Sequence, residues 1–424
     1  VYDEKLDSHV WMLSNGVKVL LKKTDFKHNE IQFSARANGG YSLLEPEMMF
    51  KTILAANIVE LSGIGNYTPA DIEKFSKDKQ FWVRTKINND HESISGSSSV
   101  KDIEHFMQML HLKFVAPRKD SKAFDSYISR VGSSILDRFN SPQGVFSEQI
   151  RLKKYSQNPR SIKFDADIVK NQDLDKSFSF YQQRFSNPAS FNFVFVGNID
   201  LLQMETLLST YISSLPTNPR ADQAIVHDIL RARGKLTVNV EKGLVEKATV
   251  LLDFYGDSLW SHKNQMNLSA LEYVLGSILR ERIREEKSGV YGIGVKSAFS
   301  RLRNKHSTRI SFTCDPNRVE ELLAEIHKII ESLKVNNTED KYVDNYIAQK
   351  LNARETKLAT NAFWKDHLQW DAEADYQPIG LNEFRLLVGN IDKLKIKNAA
   401  NSYLNIDDSL TAILLPEKPK AGAD

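Results

Sequence analysis

The chain has 424 residues, 41% hydrophobic and 26% charged, with a net charge of +3. That is enough for large apolar cores in roughly two to four domains, and no charge excess calls for nucleic acid or an anionic membrane. The single cysteine, Cys314, excludes an intrachain disulfide and a multi-cysteine zinc site, and every apolar run is too short to cross a membrane.

The opening, Val1-Tyr-Asp-Glu, carries neither an initiator Met nor the apolar stretch of a signal peptide, so a fragment or processed product is expected. Val17, Val19 and Leu21 alternate after the turn Ser14-Asn15-Gly16 and predict a strand. Ile31–Ala37 predicts a second, stopped by Gly39-Gly40. Met49, Ile53 and Ala56 have helical spacing and predict one helix over Met48–Leu61, ended by Gly63 and Gly65. Strands over Phe81–Ile87 and Ser93–Ser99 follow. Then come helices over Asp102–Leu112 and Ser121–Arg138, and a closing strand over Phe191–Val196.

After a Pro-containing stretch, Leu215–Lys235, the same order returns. Strands are predicted at Leu236–Val240 and Ala248–Tyr255, a helix at Asn264–Lys287, and strands at Gly292–Ala298 and Thr308–Thr313. Helices at Pro316–Leu333 and Glu339–Thr356 and a strand at Leu410–Leu415 complete the chain, with a disordered tail expected over Lys418–Asp424.

The two halves match residue by residue. Phe124–Arg130 aligns with Val343–Gln349, placing Tyr127 over Tyr346 at an offset of 219. Ser190–Val196 aligns with Ser409–Leu415 at the same offset, and Ile31–Gly40 with Ala248–Asp257 at 217. Two copies of one unit are therefore expected. The fold class is α+β: two homologous domains, 1–215 and 236–424, joined by a linker at 216–235. Each should be a mostly antiparallel sheet with helices packed on one face.

The most informative segment is Leu279–Gly294, LRERIREEKSGVYGIG. A helix stop at Ser288-Gly289 places Arg284 and Tyr291 seven residues apart across a corner. A guanidinium and a phenol held there can aim donors at one carbonyl oxygen. Read alone, Arg284 could equally pair with Glu281 or Glu285, and Tyr291 could be a half-buried strand residue. The glycines of Gly289–Gly294 follow a helix and enter a strand, the reverse of a phosphate cradle. The serines of Ser93–Ser99 have no histidine pattern to activate them.

The element order, the strand Phe193-Val-Phe-Val-Gly197-Asn198-Ile-Asp200 and the Arg284–Tyr291 corner together resemble the pitrilysin/insulinase family of zinc metallopeptidases, along essentially the whole chain. The resemblance implies a protein built of halves, each of two such units. One half carries an HxxEH zinc motif, and the other carries the Arg/Tyr corner. Here the residues matching the motif are Asn57-Ile58-Val59-Glu60-Leu61. Asn57 and Leu61 replace the two zinc histidines, and Glu60 survives as a vestigial base. The family's third ligand, a glutamate, falls near Ser133-Ser134. Catalytic zinc needs these ligands on one face, so no metal and no catalytic residue are expected in this chain. His105 and His111, six apart, do not share a helical face, and His91, His327 and His367 are isolated.

The resemblance thus implies a non-catalytic, substrate-binding half of a zinc peptidase, inactive alone, with Arg284 and Tyr291 contacting a peptide substrate. Zinc would reside in an HxxEH-bearing half, in the same polypeptide or a partner subunit, and the compartment would be periplasmic sooner than cytoplasmic. Neither nucleic acid nor membrane insertion is expected. The alternative is an inactive scaffold subunit of a processing-peptidase-like complex.

Overall fold

The computed structural model describes residues 1–163, 165–218, 222–286, 290–373 and 377–418. The helix stop expected at Ser288-Gly289, and the expected tail beyond Lys418, lie outside them.

The first sheet uses β1 (Tyr2–Asp3), β2 (Ser8–Met12), β3 (Lys18–Lys23), β4 (Ile31–Asn38), β5 (Phe81–Ile87), β6 (His91–Ser98) and β7 (Asn192–Gly197), in spatial order β1-β2-β3-β7-β4-β6-β5. The helices up to residue 207 are, in chain order, α1 (Pro46–Thr52), α2 (Ala55–Ser62), α3 (Pro69–Ser76), α4 (Ile103–Val115), α5 (Ser121–Asn140), α6 (Pro142–Tyr155), α7 (Ala166–Lys170), α8 (Leu174–Phe185) and α9 (Leu201–Leu207). The second sheet uses β8 (Lys235–Glu241), β9 (Ala248–Asp257), β10 (Val290–Ser300), β11 (Lys305–Cys314) and β12 (Ser409–Leu415), in order β10-β11-β9-β12-β8. The helices that follow in the chain are α10 (His262–Leu279), α11 (Val319–Val335), α12 (Asp340–Leu358), α13 (Asn361–Asp371), α14 (Leu381–Gly389) and α15 (Lys393–Tyr403).

Read from β8, the second sheet repeats the order of β3-β7-β4-β6-β5. Each sheet has one parallel pair, β3 with β7 and β8 with β12, and its other pairs are antiparallel.

The expected single helix over Met48–Leu61 is two helices. The chain leaves helical geometry at Leu54, and distant groups take up the freed backbone. The Tyr41 hydroxyl donates to the carbonyls of Thr52 (3.1 Å) and Ile53 (3.0 Å). Gln172 accepts from the Leu54 N–H (3.2 Å) and donates to the Phe50 carbonyl (2.7 Å). A buried backbone group without such a partner would be costly. The unforeseen α3 does have a local signal: Thr68 and Asp71 form a capping box with Pro69 at the first helical position.

The chain divides into two compact units. One comprises Val1–Ile135, Phe164–His227 and Glu355–Pro378, the other Leu136–Lys163, Asp228–Arg354 and Ile379–Asp424. So α6 serves the second sheet and α13 the first. In the first unit, Phe33, Phe106, Phe114, Phe193 and Phe195 stack between α4 and one face of the sheet. Gly96 leaves room for this, because a Cβ there would lie 2.5 Å from the Phe106 ring. The other face, with Leu20, Val194 and Val196, packs on Leu368 of α13. In the second unit, α10, α11 and α15 bury Val250, Leu252 and Phe254, while Phe146 of α6 packs on Val238, Val240, Leu410, Ala412 and Leu414. The expectation of helices on one face is therefore corrected: each sheet carries a further helix on its second face, delivered from a remote stretch of chain. Alternation along β7 and β12 makes both faces apolar, and both must be covered.

The stretch 216–235 contains neither helix nor strand among its described residues before Lys235. His227 is held at the Ser42 carbonyl in the first unit (2.7 Å), and Ala232 donates to the Lys154 carbonyl in the second (2.9 Å).

Candidate functional site

Two corners carry the residues singled out from the sequence. At the first, α2 packs on the edge strand β5. Glu60 does not point to open water. Its Oε1 accepts from the Thr85 N–H (2.8 Å) and the Thr85 hydroxyl (2.5 Å), and its Oε2 pairs with Lys113 of α4 at 2.6 Å. Behind it Tyr181 is fully buried. Burial, and then the Glu60 charge, raise its hydroxyl's pKa, against the opposing effect of a hydrogen bond with Thr85. Asn57 donates through its amide to the Tyr127 hydroxyl at 2.9 Å. Leu61 packs with Phe124, Ile128 and Val131 of α5 around Leu54, Ile58 and Tyr127. Ser133 bonds the Ser129 carbonyl within its own helix (3.1 Å), and Ser134 is exposed.

This arrangement does not fit a zinc ion. One histidine position is an amide held by a tyrosine, the other is an apolar packing residue, and the surviving carboxylate is neutralised by a lysine. Among the described residues no group of three or more His, Cys, Asp or Glu is placed to hold a metal. His111 is engaged by the Tyr211 carbonyl (2.6 Å) and His91 by Asp90 (2.7 Å). His105 lies against Phe75 and Phe81, and His367 against Phe363 and Trp364.

At the second corner the structure differs from the expected helix over Asn264–Lys287. The α-helix α10 ends at Leu279, and Arg280–Glu286 is wound as a π-helix packed on the edge strand β10. Such wide turns are frequent at functional sites; a second one, Leu208–Ile212, lies away from both corners. Ile283 of this segment is fully buried, which anchors it while Arg284 is exposed. The candidate partner Glu281 is taken by Lys341 (3.1 Å) and by the Tyr342 hydroxyl (2.5 Å). Across the corner, the β10–β11 register slips between Val290 and Gly292, leaving Tyr291 as the extra residue of a bulge. A bulge re-aims the side chain it carries, and Tyr291 is 73% exposed. Among the described residues, neither the Arg284 nor the Tyr291 side chain has a hydrogen-bond or ion-pair partner. The corner presents a cation and a phenol donor that no described residue engages.

The π-helix, the bulge and the Lys113–Thr85–Tyr181 network are the parts of these corners that sequence reading missed. The run Arg280–Lys287 signals only a charged surface, and Lys113 lies 53 positions from Glu60. Tyr127 was visible as a repeat marker, but not as the partner of Asn57.

Residues 173–350 match the family model described as the peptidase M16 inactive domain. The probable zinc protease PqqL of Haemophilus influenzae is 22% identical over 368 residues, covering 84% of this chain and 38% of that protein. The crystal structure of the periplasmic protease PqqL from Escherichia coli superposes with a TM-score of 0.84 at 20% identity, covering 98% of this chain and 46% of that one. A peptidase M16 inactive domain from Pseudomonas fluorescens gives a TM-score of 0.78 at 16% identity, over 97% of this chain and all of that one, 100%. The chain spans less than half the length of the curated relatives it matches. Among the described residues no helix is long and apolar enough to cross a membrane. Over residues 173–350 the chain is similar to the peptidase M16 inactive domain, and along most of its length it is similar to zinc proteases of the PqqL type.

Proposed function

We propose that this chain is the substrate-binding, non-catalytic half of a zinc metallopeptidase, in which Arg284 and Tyr291 grip the substrate. The observation that carries this is their shared exposure, without partners among the described residues, on a π-helix and a β-bulge that turn them outward. When water attacks a peptide bond, negative charge grows on the carbonyl oxygen. A guanidinium and a phenol O–H fixed nearby stabilise that charge, and they hold the substrate backbone beforehand.

The zinc and the general base then come from an HxxEH-bearing half, in the same polypeptide or in a partner subunit. The chain by itself cuts no peptide, because the α2 corner is closed to metal. The matching strand orders and the offsets of 217 and 219 support two copies of one α/β unit in sequence, 1–215 and 236–424, joined by 216–235. The description of the E. coli relative as a periplasmic protease supports the periplasm as the compartment.

The test combines the chain with an HxxEH-bearing half and follows peptide cleavage, with Arg284→Ala and Tyr291→Phe in parallel. Loss of turnover in both is expected. Unchanged turnover in both would remove the proposed role.

A further inference from the structure

The helices that cover the second face of each sheet occupy equivalent positions. Ser141 caps α6 and Thr360 caps α13, 219 residues apart, each accepting from the N–H three residues on. The residues where they meet their sheets are equivalent too, but inverted. In the first unit Arg36 of β4 pairs with Glu373, just after α13, at 3.2 Å, and stacks on Trp370. In the second unit Asp253 of β9 pairs with Lys154 of α6, with Arg231 adding a contact of 2.9 Å. Arg36 and Asp253 are 217 positions apart, and Lys154 and Glu373 are 219 apart, the offsets of the repeat. All four side chains are at most 15% exposed.

Two positions earlier on each strand the pattern holds again. Ser34 of β4 donates to Gln369 of α13 at 2.9 Å. At the equivalent places Leu251 and Ile150 pack on one apolar cluster. So one interface is acidic helix on basic sheet with a polar pair, and the other is basic helix on acidic sheet with an apolar pair.

We infer that this inversion makes each outer sheet face selective for the helix of the other repeat. If two first repeats exchanged helices between chains, Lys154 would be buried against Arg36, and Ile150 would cover Ser34. If two second repeats did so, Glu373 would meet Asp253, and Gln369 would be buried on Leu251. Like charges and unpaired polar groups in such sites are strongly disfavoured. The surfaces therefore fit a helix of stated charge, and they exclude homotypic pairing between copies of this chain, which a symmetric repeat would permit.

This rests on the two-copy reading, and its readout is assembly, independent of Arg284, Tyr291 and peptide cleavage. The full chain is unfolded in urea and refolded at raised concentration, and its mass is read by size exclusion with light scattering. In Arg36→Glu/Glu373→Lys each repeat becomes complementary to itself in charge, with the Ser34 and Leu251 positions unchanged, and a several-fold rise over wild type in interchain dimer and larger species is expected. In Arg36→Gln/Glu373→Gln, Lys154 and Asp253 still reject homotypic partners, and the wild-type mass profile is expected. A wild-type profile in the charge-inverted variant overturns the inference. So does failure of that variant to refold where the glutamine variant succeeds, since complementarity would then not be what the two positions supply.

Discussion

The α2 corner of one unit and the π-helical corner of the other stand at the same place in the strand order, each packed on the edge strand of its sheet. They spend their polar groups in opposite ways. At α2 the fold consumes what the sequence offers: Asn57 on Tyr127, Glu60 on Thr85 and Lys113. At the π-helix the fold consumes Glu281 and leaves Arg284 and Tyr291 outside. A polar group satisfied inside the fold stabilises it and is lost to chemistry, while an exposed, unpartnered group adds little stability and stays available. Substitutions at the two corners should therefore show opposite signatures.

The largest effect is expected at the open corner. Arg284→Ala should lower kcat of the reconstituted enzyme by about 10²–10³-fold, the usual cost of removing one oxyanion donor, while the unfolding free energy of the chain, from urea titration, changes by less than about 0.5 kcal/mol. A comparable loss in stability would merge the two corners into one class. At the closed corner, Asn57→His with Leu61→His should bind no stoichiometric zinc by metal analysis after dialysis. It should also destabilise the fold by about 1–3 kcal/mol, because an imidazole replaces an apolar packing residue. Tight zinc binding would show that the corner is only two side chains from a metal site. Lys113→Met should cost about 1–3 kcal/mol by leaving Glu60 without its cation, with cleavage by the reconstituted enzyme unchanged.

The smallest effects are in the pH dependence, and they again contrast the two units. Burial raises Glu92 from 4.5 to about 7, against the opposing pull of Arg184 and the Gly40 N–H. The folded chain holds that proton more tightly than the unfolded chain does, so this group's contribution is full below about pH 4.5 and is lost as pH rises to about 7. His306 in the second unit is lowered by burial from 6.5 to about 4. Its contribution runs the other way: it is lost as pH falls from about 6.5 to 4. Glu92→Gln should flatten the decline and His306→Leu the rise, read as urea midpoints between pH 4 and 8. Identical pH curves for both variants and the wild type would contradict both assignments.

Much of the architecture was legible because its signals are local. The alternation of Phe81–Ile87 and the apolar runs of β7 and β12 mark strands within a residue or two of their observed ends. The offsets of 217 and 219 agree with the strand order the two sheets share, and the spacing of Arg284 and Tyr291 flags their corner within a single short run of residues. The split of α1 from α2 was not legible, because it depends on Tyr41 and on Gln172, more than a hundred positions away.

The sequence by itself marked most of the strands and the long helices α4, α5, α11 and α12, and it put a poor zinc ligand at Asn57 and none at Leu61. Such properties depend on backbone periodicity and on side-chain chemistry, both of which travel with a residue. Tertiary structure alone decided that α6 covers the second sheet and α13 the first, that Glu60 is spent on Lys113, and that a π-turn and a bulge leave Arg284 and Tyr291 exposed. Those outcomes depend on which distant partner reaches a group first in space, and no short window of residues records that.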